Sequence, residues 1–364
     1  MPVSPSHTES TPLAKKLAAR IAGGGPIPVH DYMEACLYDA EYGYYRKRAA
    51  IGQGGDFITA PEISQIFGEL IGLWAGEVWR QMGEPSPIHL IELGPGRGVL
   101  MADALRALKV VPGFLSAATV HLVESSRALA EVQQAALAKA PVRLCWHDDI
   151  KDVPAGASIM IANEFFDCLP VRQFVFDGDA GKWRERMVSF EEGAFCFSDG
   201  SFAAPPHGAG EAGLEHGAIL EHRPAAQGVI DAFAARSPLA ALIVDYGYSR
   251  PSSGDTVQAV KNHSFAGLFD APGESDVTAH VDFLALKHAA AQAGLGAFGP
   301  MPMGEWLLRL GLEARLGQLL ARASDEDAAD MRSRVARLAD PAQMGALFKV
   351  LTLTHGVSAP PPPF

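Results

Sequence analysis

No apolar run in this chain reaches the roughly 18 residues that a membrane-spanning helix needs, so no membrane span is expected. Cysteine is scarce. Cys36, Cys145, Cys168 and Cys196 are the four in 364 residues, and they lie far apart without a CxxC pair. That spacing excludes a disulfide framework and a zinc ribbon. The histidines show no metal-ligand spacing, so no metal site is expected. Positive charge is also short: 30 Lys and Arg stand against 42 Asp and Glu, for a formal net charge of -12. Phosphate binding needs a basic face, so a nucleic-acid partner is not expected. The same charge suits a cationic substrate, although acidity often serves solubility alone. "MPVSPSHTES" lacks the basic and apolar regions of a secretory signal, and Glu9 precedes the first arginine, Arg20. Neither a secretory signal nor a transit peptide is read there, and the expected setting is a reduced cytoplasm.

What is present is a regular alternation. "IHLIEL" (88–93), "TVHLVE" (119–124), "VRLCW" (142–146), "SIMIA" (158–162) and "ALIVDY" (241–246) are short apolar runs, mostly separated by helical stretches. Such runs predict an α/β fold with a mostly parallel sheet covered on both faces. "FVFDGDAGKWRERMVSFEEGAFCFSDGSF" alternates at period two between glycine turns, which predicts an inserted β-meander. Residues 261–345 read as largely helical with a hairpin-like break at "GAFGPMPMGEW", and "LFKVLTLTH" (347–355) as a late antiparallel edge strand. The expected organisation is an N-terminal helical cap over 1–85 and a core over 86–260 with its insertion at about 168–224. Extra C-terminal helices over 261–345 follow, then a final strand and Pro-rich tail over 346–364.

Two local patterns stand out. In "GGDFITAPEIS" (54–64), Thr59 and Glu62 have the spacing of a capping box, and Pro61 is tolerated in a first helical turn. Ile63, Ile66, Phe67, Leu70, Ile71, Trp74 and Val78 continue one helical face, which predicts a long buried helix beginning at Thr59. In "IELGPGRG", Glu92 ends a strand, and Gly94, Gly96 and Gly98 follow before a helix near Val99. Glycines at a strand-to-helix turn let backbone approach a ligand, and the helix start offers free amides. A dinucleotide fingerprint wants its third glycine one residue later. The spacing E-x-G-x-G-x-G instead resembles the first motif of class I S-adenosylmethionine (SAM) methyltransferases. In that family the acid before the glycines faces the cofactor's cationic amino-acid end. Glu124, ending the second strand, is placed for ribose hydroxyls, and Asp148 and Asp149 follow the third strand, where this family commonly contacts adenine. Alone, Glu124 reads better as a surface strand end and the aspartates better as a turn.

"GDFITAPEISQIFGE", "IELGPGRGVLMADALR", "ANEFFDCLPVRQF", "IVDYGY", "GDTVQAV" and "DVTAHVDF" together resemble the MidA-type SAM-dependent methyltransferases, from about residue 54 to 283. "GPMPMGEWLLRLG" departs from the family, which more often has Thr-Gln-Gly there. The resemblance implies a class I Rossmann-like methyltransferase with SAM as cofactor. It also implies protein arginine methylation in respiratory complex I assembly, as in the family's mitochondrial members. "GGDFITAPEIS" then reads as a roof over the cofactor, with Phe57 shielding the sulfonium and Asp56 or Thr59 reaching the ligand. Thr59 also reads simply as a cap and Phe57 as core. Asn163 joins the cofactor candidates. Glu164 and Asp167, after the fourth strand, are the catalytic candidates for holding a guanidinium, because paired carboxylates orient it. Phe165 and Phe166 would form an apolar wall, and Asp167 alternatively caps a turn. Asp245 and Tyr246 make a possible second wall. His280 and Asp282 lie near a helix start, His280 as a conceivable base. The rival functions are a small-molecule methyltransferase, a SAM-binding assembly factor with dispensable catalysis and, more remotely, an NAD oxidoreductase.

Overall fold

The computed structural model describes residues 10–46, 59–205, 215–250 and 252–364. Helix α1 (Pro12–Gly24) is capped by the Thr11 hydroxyl, which accepts from the Ala14 amide, and α2 (Val29–Tyr38) follows. Next come α3 (Ala60–Ile63) and α4 (Gln65–Gln81). The single helix expected from Thr59 is therefore broken. Ser64 leaves helical geometry at φ -153° and ψ 132°, and its hydroxyl caps α4 by accepting from Ile66 N at 3.3 Å. A serine before an apolar-periodic run is itself a helix-start signal.

The core then runs β1 (Ile88–Leu93), α5 (Val99–Leu108), β2 (Ala118–Val123), α6 (Arg127–Ala136), β3 (Arg143–His147) and β4 (Ser158–Asn163). The meander follows as β5 (Arg172–Asp177), β6 (Lys182–Glu191) and β7 (Ala194–Phe202), paired antiparallel through β6. The chain returns through α7 (Pro224–Ala234) to β8 (Leu239–Tyr248), then α8 (Phe283–Gln292), β9 (Gly296–Pro302), α9 (Asp325–Ala339) and β10 (Phe348–His355).

The main sheet has the order β9-β10-β8-β4-β1-β2-β3. Neighbours from β8 to β3 run parallel, while β10 is antiparallel to both β8 and β9. β10 is thus not the edge strand that its sequence suggests. "GAFGPMP" lies outside it as β9, with a register shift between Phe298 and Met301. Glycine and proline disguise this strand, but an irregular edge is where a sheet tolerates them. Alternate side chains serve the two faces. Leu90 and Val120 pack with α4 and α5, and Ile91 and Met160 with α7 and α8.

Helices α1 and α2 pack against the meander and the loop that follows β4, where the Tyr38 hydroxyl donates to the Cys168 carbonyl. Ile27 pairs with Val188 of β6, and Leu13, Leu17, Tyr32 and Met33 share an apolar cluster with Val188 and Phe195. α4 instead lies close against α5: a Cβ on Gly72 would meet the Ala104 carbonyl oxygen at 2.5 Å. That close approach fixes α3 beside the turn between β1 and α5. The strand order reverses between β1 and β4, which is where open α/β sheets bind ligands beyond their strand ends.

Candidate functional site

At this reversal a cleft opens between the end of β1, the end of β4 and helix α3. Its floor is the glycine turn. Gly94, Gly96 and Gly98 have φ of 60°, 53° and 78°, a left-handed conformation that side chains oppose. Gly98 starts α5 with no side-chain cap, leaving first-turn amides for an anionic group. The Phe165 ring lies over Gly94, where a Cβ would stand 3.2 Å from it. Phe165 covers the turn without joining the cleft's lining, and Phe166 is fully buried in the sheet's other core.

Three carboxylates line the cleft: Glu62 from α3, Glu92 from β1 and Glu164 after β4. Glu92 is 3% exposed, its Oε2 has no hydrogen-bond partner among the described residues, and burial pushes its pKa to about 8. Glu164 holds φ at 49°, an uncommon value for a side-chain-bearing residue and one that clusters at functional sites. Its Oε1 accepts from Ala60 N at 3.0 Å and Asn163 Nδ2 at 3.2 Å. Burial raises Glu164 to about 7, with the Ala60 amide opposing and Asp167 and Glu62 adding to the rise. Burial also raises Glu62, against the nearby Arg97 guanidinium. Asn163 is 8% exposed and lines the cleft beside Glu164.

The capping box does not form. Thr59 makes no side-chain cap bond and lines the cleft instead, while Glu164 takes the Ala60 amide from 104 residues away. Asp56 and Phe57 fall outside the described residues. On the next strand, Glu124 accepts from Ser126 N at 2.8 Å and Gln133 Nε2 at 3.1 Å. Gln133 is fully buried, donates also to the Gly96 carbonyl at 2.8 Å, and accepts from Trp146 Nε1 at 3.0 Å. It ties the glycine turn to the acid at the end of β2, a link with no local sequence signal. Asp148 and Asp149 are exposed. Asp149 caps a turn by accepting from Lys151 N at 2.9 Å, so its structural alternative is the one observed.

The acids behind the cleft differ from expectation. Asp245 is fully buried; Oδ2 accepts from the Phe166 and Asp167 amides and Oδ1 from the Tyr246 amide. Its catalytic assignment is corrected: it positions the loop after β4. Asp167 is 6% exposed and does not line the cleft; burial raises its pKa while Tyr246 and Arg223 oppose. The expected Glu164–Asp167 pair is therefore split, with only Glu164 facing the ligand space. Asp282 caps α8, accepting from the Leu284 and Ala285 amides. His280 stacks edge-on to Tyr246 at 5.4 Å, and burial lowers its pKa.

A cleft with unpartnered buried carboxylate oxygens, amides at a helix start and a glycine floor fits an amino-acid-bearing sulfonium cofactor. A pyrophosphate would meet three acids instead. The model of the S-adenosyl-L-methionine-dependent methyltransferase family matches residues 70–301, well over half of the chain. The chain belongs to this family. It is 38% identical to the mitochondrial protein arginine methyltransferase NDUFAF7 homolog of Drosophila melanogaster, over 95% of this chain and 86% of that one. To the human protein arginine methyltransferase NDUFAF7, also mitochondrial, it is 34% identical over 96% and 85%. A crystal structure from Burkholderia thailandensis with bound S-adenosyl-homocysteine superposes at a TM-score of 0.83, with 30% identity over 95% of this chain and 92% of that one. The methyltransferase is SAM-dependent, with a Rossmann-like fold. One expectation falls: the cytoplasmic setting is contradicted by relatives that are named mitochondrial.

Proposed function

We propose that this methyltransferase acts on an arginine guanidinium of a protein substrate, a respiratory complex subunit by the family resemblance. Glu164 carries the reading. Its Oε1 is engaged with Ala60 and Asn163, and its Oε2 makes no hydrogen bond among the described residues. The names of the relatives, protein arginine methyltransferases, support the same substrate class.

In this reading Glu92, the glycine turn and the α5 amides hold the cofactor's amino-acid end, and Glu124 its ribose. SAM, when bound, supplies an electrophilic methyl group. Glu164 Oε2 orients the guanidinium nitrogen for in-line attack. As the nitrogen gains its methyl carbon it loses one N–H proton, and Glu164, raised to about 7, is suited to take it at Oε2. Asp245 holds the loop that carries Glu164 and does not touch the reacting atoms.

Glu164→Gln keeps shape and removes charge. Binding of S-adenosylhomocysteine should stay within a few-fold of wild type, while labelled methyl transfer into arginine, read by mass spectrometry, falls by roughly 10². Equal losses in binding and transfer would move Glu164 to the cofactor site. A second reading has one observation in its favour: with Asp167 buried off the cleft, only Glu164 of the expected pair faces the ligand space, which is enough for a small-molecule acceptor. Label found in small metabolites and absent from protein would favour that reading.

A further inference from the structure

The spacing of Glu62 suits half of a capping box, and the structure leaves it without that task. Its side chain is 10% exposed and lines the cleft opposite the glycine turn. Oε2 is buried with no hydrogen-bond partner among the described residues, and Oε1 stands 4.0 Å from Arg97 Nε, beyond hydrogen-bonding distance. A buried carboxylate oxygen left unpartnered is costly, so a missing cationic donor is the natural explanation.

We propose that Glu62 is a cofactor-binding residue, whose carboxylate takes the ammonium of the cofactor's amino-acid end from the roof side, across from Glu92. The inference rests on the SAM reading of the cleft. The half of the cofactor it would meet follows from the topology. The cleft sits between β1 and β4 and includes Glu62, Glu92, Gly96 and Glu164, while Glu124, on the ribose side at β2, is not part of its lining. Charge agrees. Three carboxylates face one guanidinium, Arg97, among the described lining residues. The cofactor's amino-acid half brings an ammonium and a sulfonium against a single carboxylate. One negative charge then remains for an incoming guanidinium. Glu62 also gives helix α3 a reason to be tied to the strand ends, since the roof would carry a ligand contact of its own.

The test compares two ligands on the full-length protein by calorimetry. S-adenosylhomocysteine carries the amino-acid half, and 5′-methylthioadenosine lacks it. Glu62→Gln should weaken S-adenosylhomocysteine roughly 10-fold or more, as for loss of a charged hydrogen bond, and leave methylthioadenosine within two-fold. Retained methylthioadenosine binding also certifies that the variant folds. An equal loss for both ligands would overturn the proposal, as would unchanged S-adenosylhomocysteine binding, with or without a loss of methyl transfer. A wild-type protein that binds neither ligand would bring down the cofactor reading itself, a separate failure.

Discussion

Glu164 and Asp245 stand at the ends of adjacent parallel strands, and burial raises the pKa of both. Their surroundings make them opposites. Asp245 accepts three backbone amides with its two oxygens, so its carboxyl group is fixed in place and turned inward. Glu164 engages one oxygen with two donors and faces the cleft with the rest. Burial alone therefore does not mark a catalytic acid. What separates the two is whether hydrogen-bonding capacity remains on the side where a ligand arrives.

The largest expected effect comes from removing the inward acid. Asp245→Ala leaves the amides of Phe166, Asp167 and Tyr246 buried and unpaired, at about 1–3 kcal/mol each before relaxation. The variant should lose about 3 kcal/mol or more of stability in denaturant unfolding, with cofactor binding and transfer falling together. Glu164→Gln should barely move the unfolding midpoint. A stable Asp245→Ala protein that has lost only transfer would restore the catalytic assignment and dissolve the contrast.

A smaller effect sharpens the contrast between the two ends of the cofactor. Gln133 is buried like Asp245 and works through others, joining Gly96, Glu124 and Trp146. Gln133→Leu keeps the volume and removes those bonds. S-adenosylhomocysteine and 5′-methylthioadenosine should both weaken by about tenfold, consistent with one or two hydrogen bonds. Glu62→Gln, by contrast, should affect the first alone. Selective loss of S-adenosylhomocysteine in the Gln133 variant would mean that the glutamine serves the amino-acid end.

These residues also mark what the sequence made legible. Strands β1, β2, β4 and β8 are readable because they are almost wholly buried and largely apolar, whereas β3, at the end of the sheet, is only half-buried and shows by its short apolar run alone. The glycine turn was readable because left-handed backbone at three alternate positions demands glycine. Thr59-x-x-Glu62 fits the local capping template, but the Thr59 hydroxyl makes no cap bond and the Glu62 amide donates to the Thr59 carbonyl instead. Gln133 gave no signal at all, since a glutamine in a helix is ordinary until the fold brings Gly96 and Trp146 against it. Asp167 and Glu164 looked like a pair because they are three residues apart. The loop between them turns one into the core and the other into the cleft, and Asp245, 78 residues later, holds that turn.

The smallest effect is a fraction of a proton, and it tests the contrast directly. Burial lifts Glu92 from 4.5 to about 8, so at pH 7 it is mostly neutral in the ligand-free protein. A cation entering the cleft favours the ionised form, so cofactor binding should release protons at pH 7. Glu164, at about 7, adds to the release if the ligand's charge reaches it. Asp245 should contribute none, because its oxygens face amides away from the cleft. The sign is fixed by linkage. With a raised folded pKa, Glu92 contributes stability that is present below 4.5 and lost as pH rises through about 8. Binding that restores a partner to the ionised form should accordingly tighten as pH rises towards 8, until the ligand's own ammonium begins to lose its proton. Calorimetry of S-adenosylhomocysteine binding in buffers of different ionisation enthalpy gives the number directly. The heat should vary with buffer at pH 7, by about one proton per site, and the release should shrink as pH rises towards 8. Glu92→Gln should remove most of the pH 7 dependence. Buffer-independent heat at pH 7 in the wild type would mean that the cleft acids are already ionised, and that their burial does not set their charge.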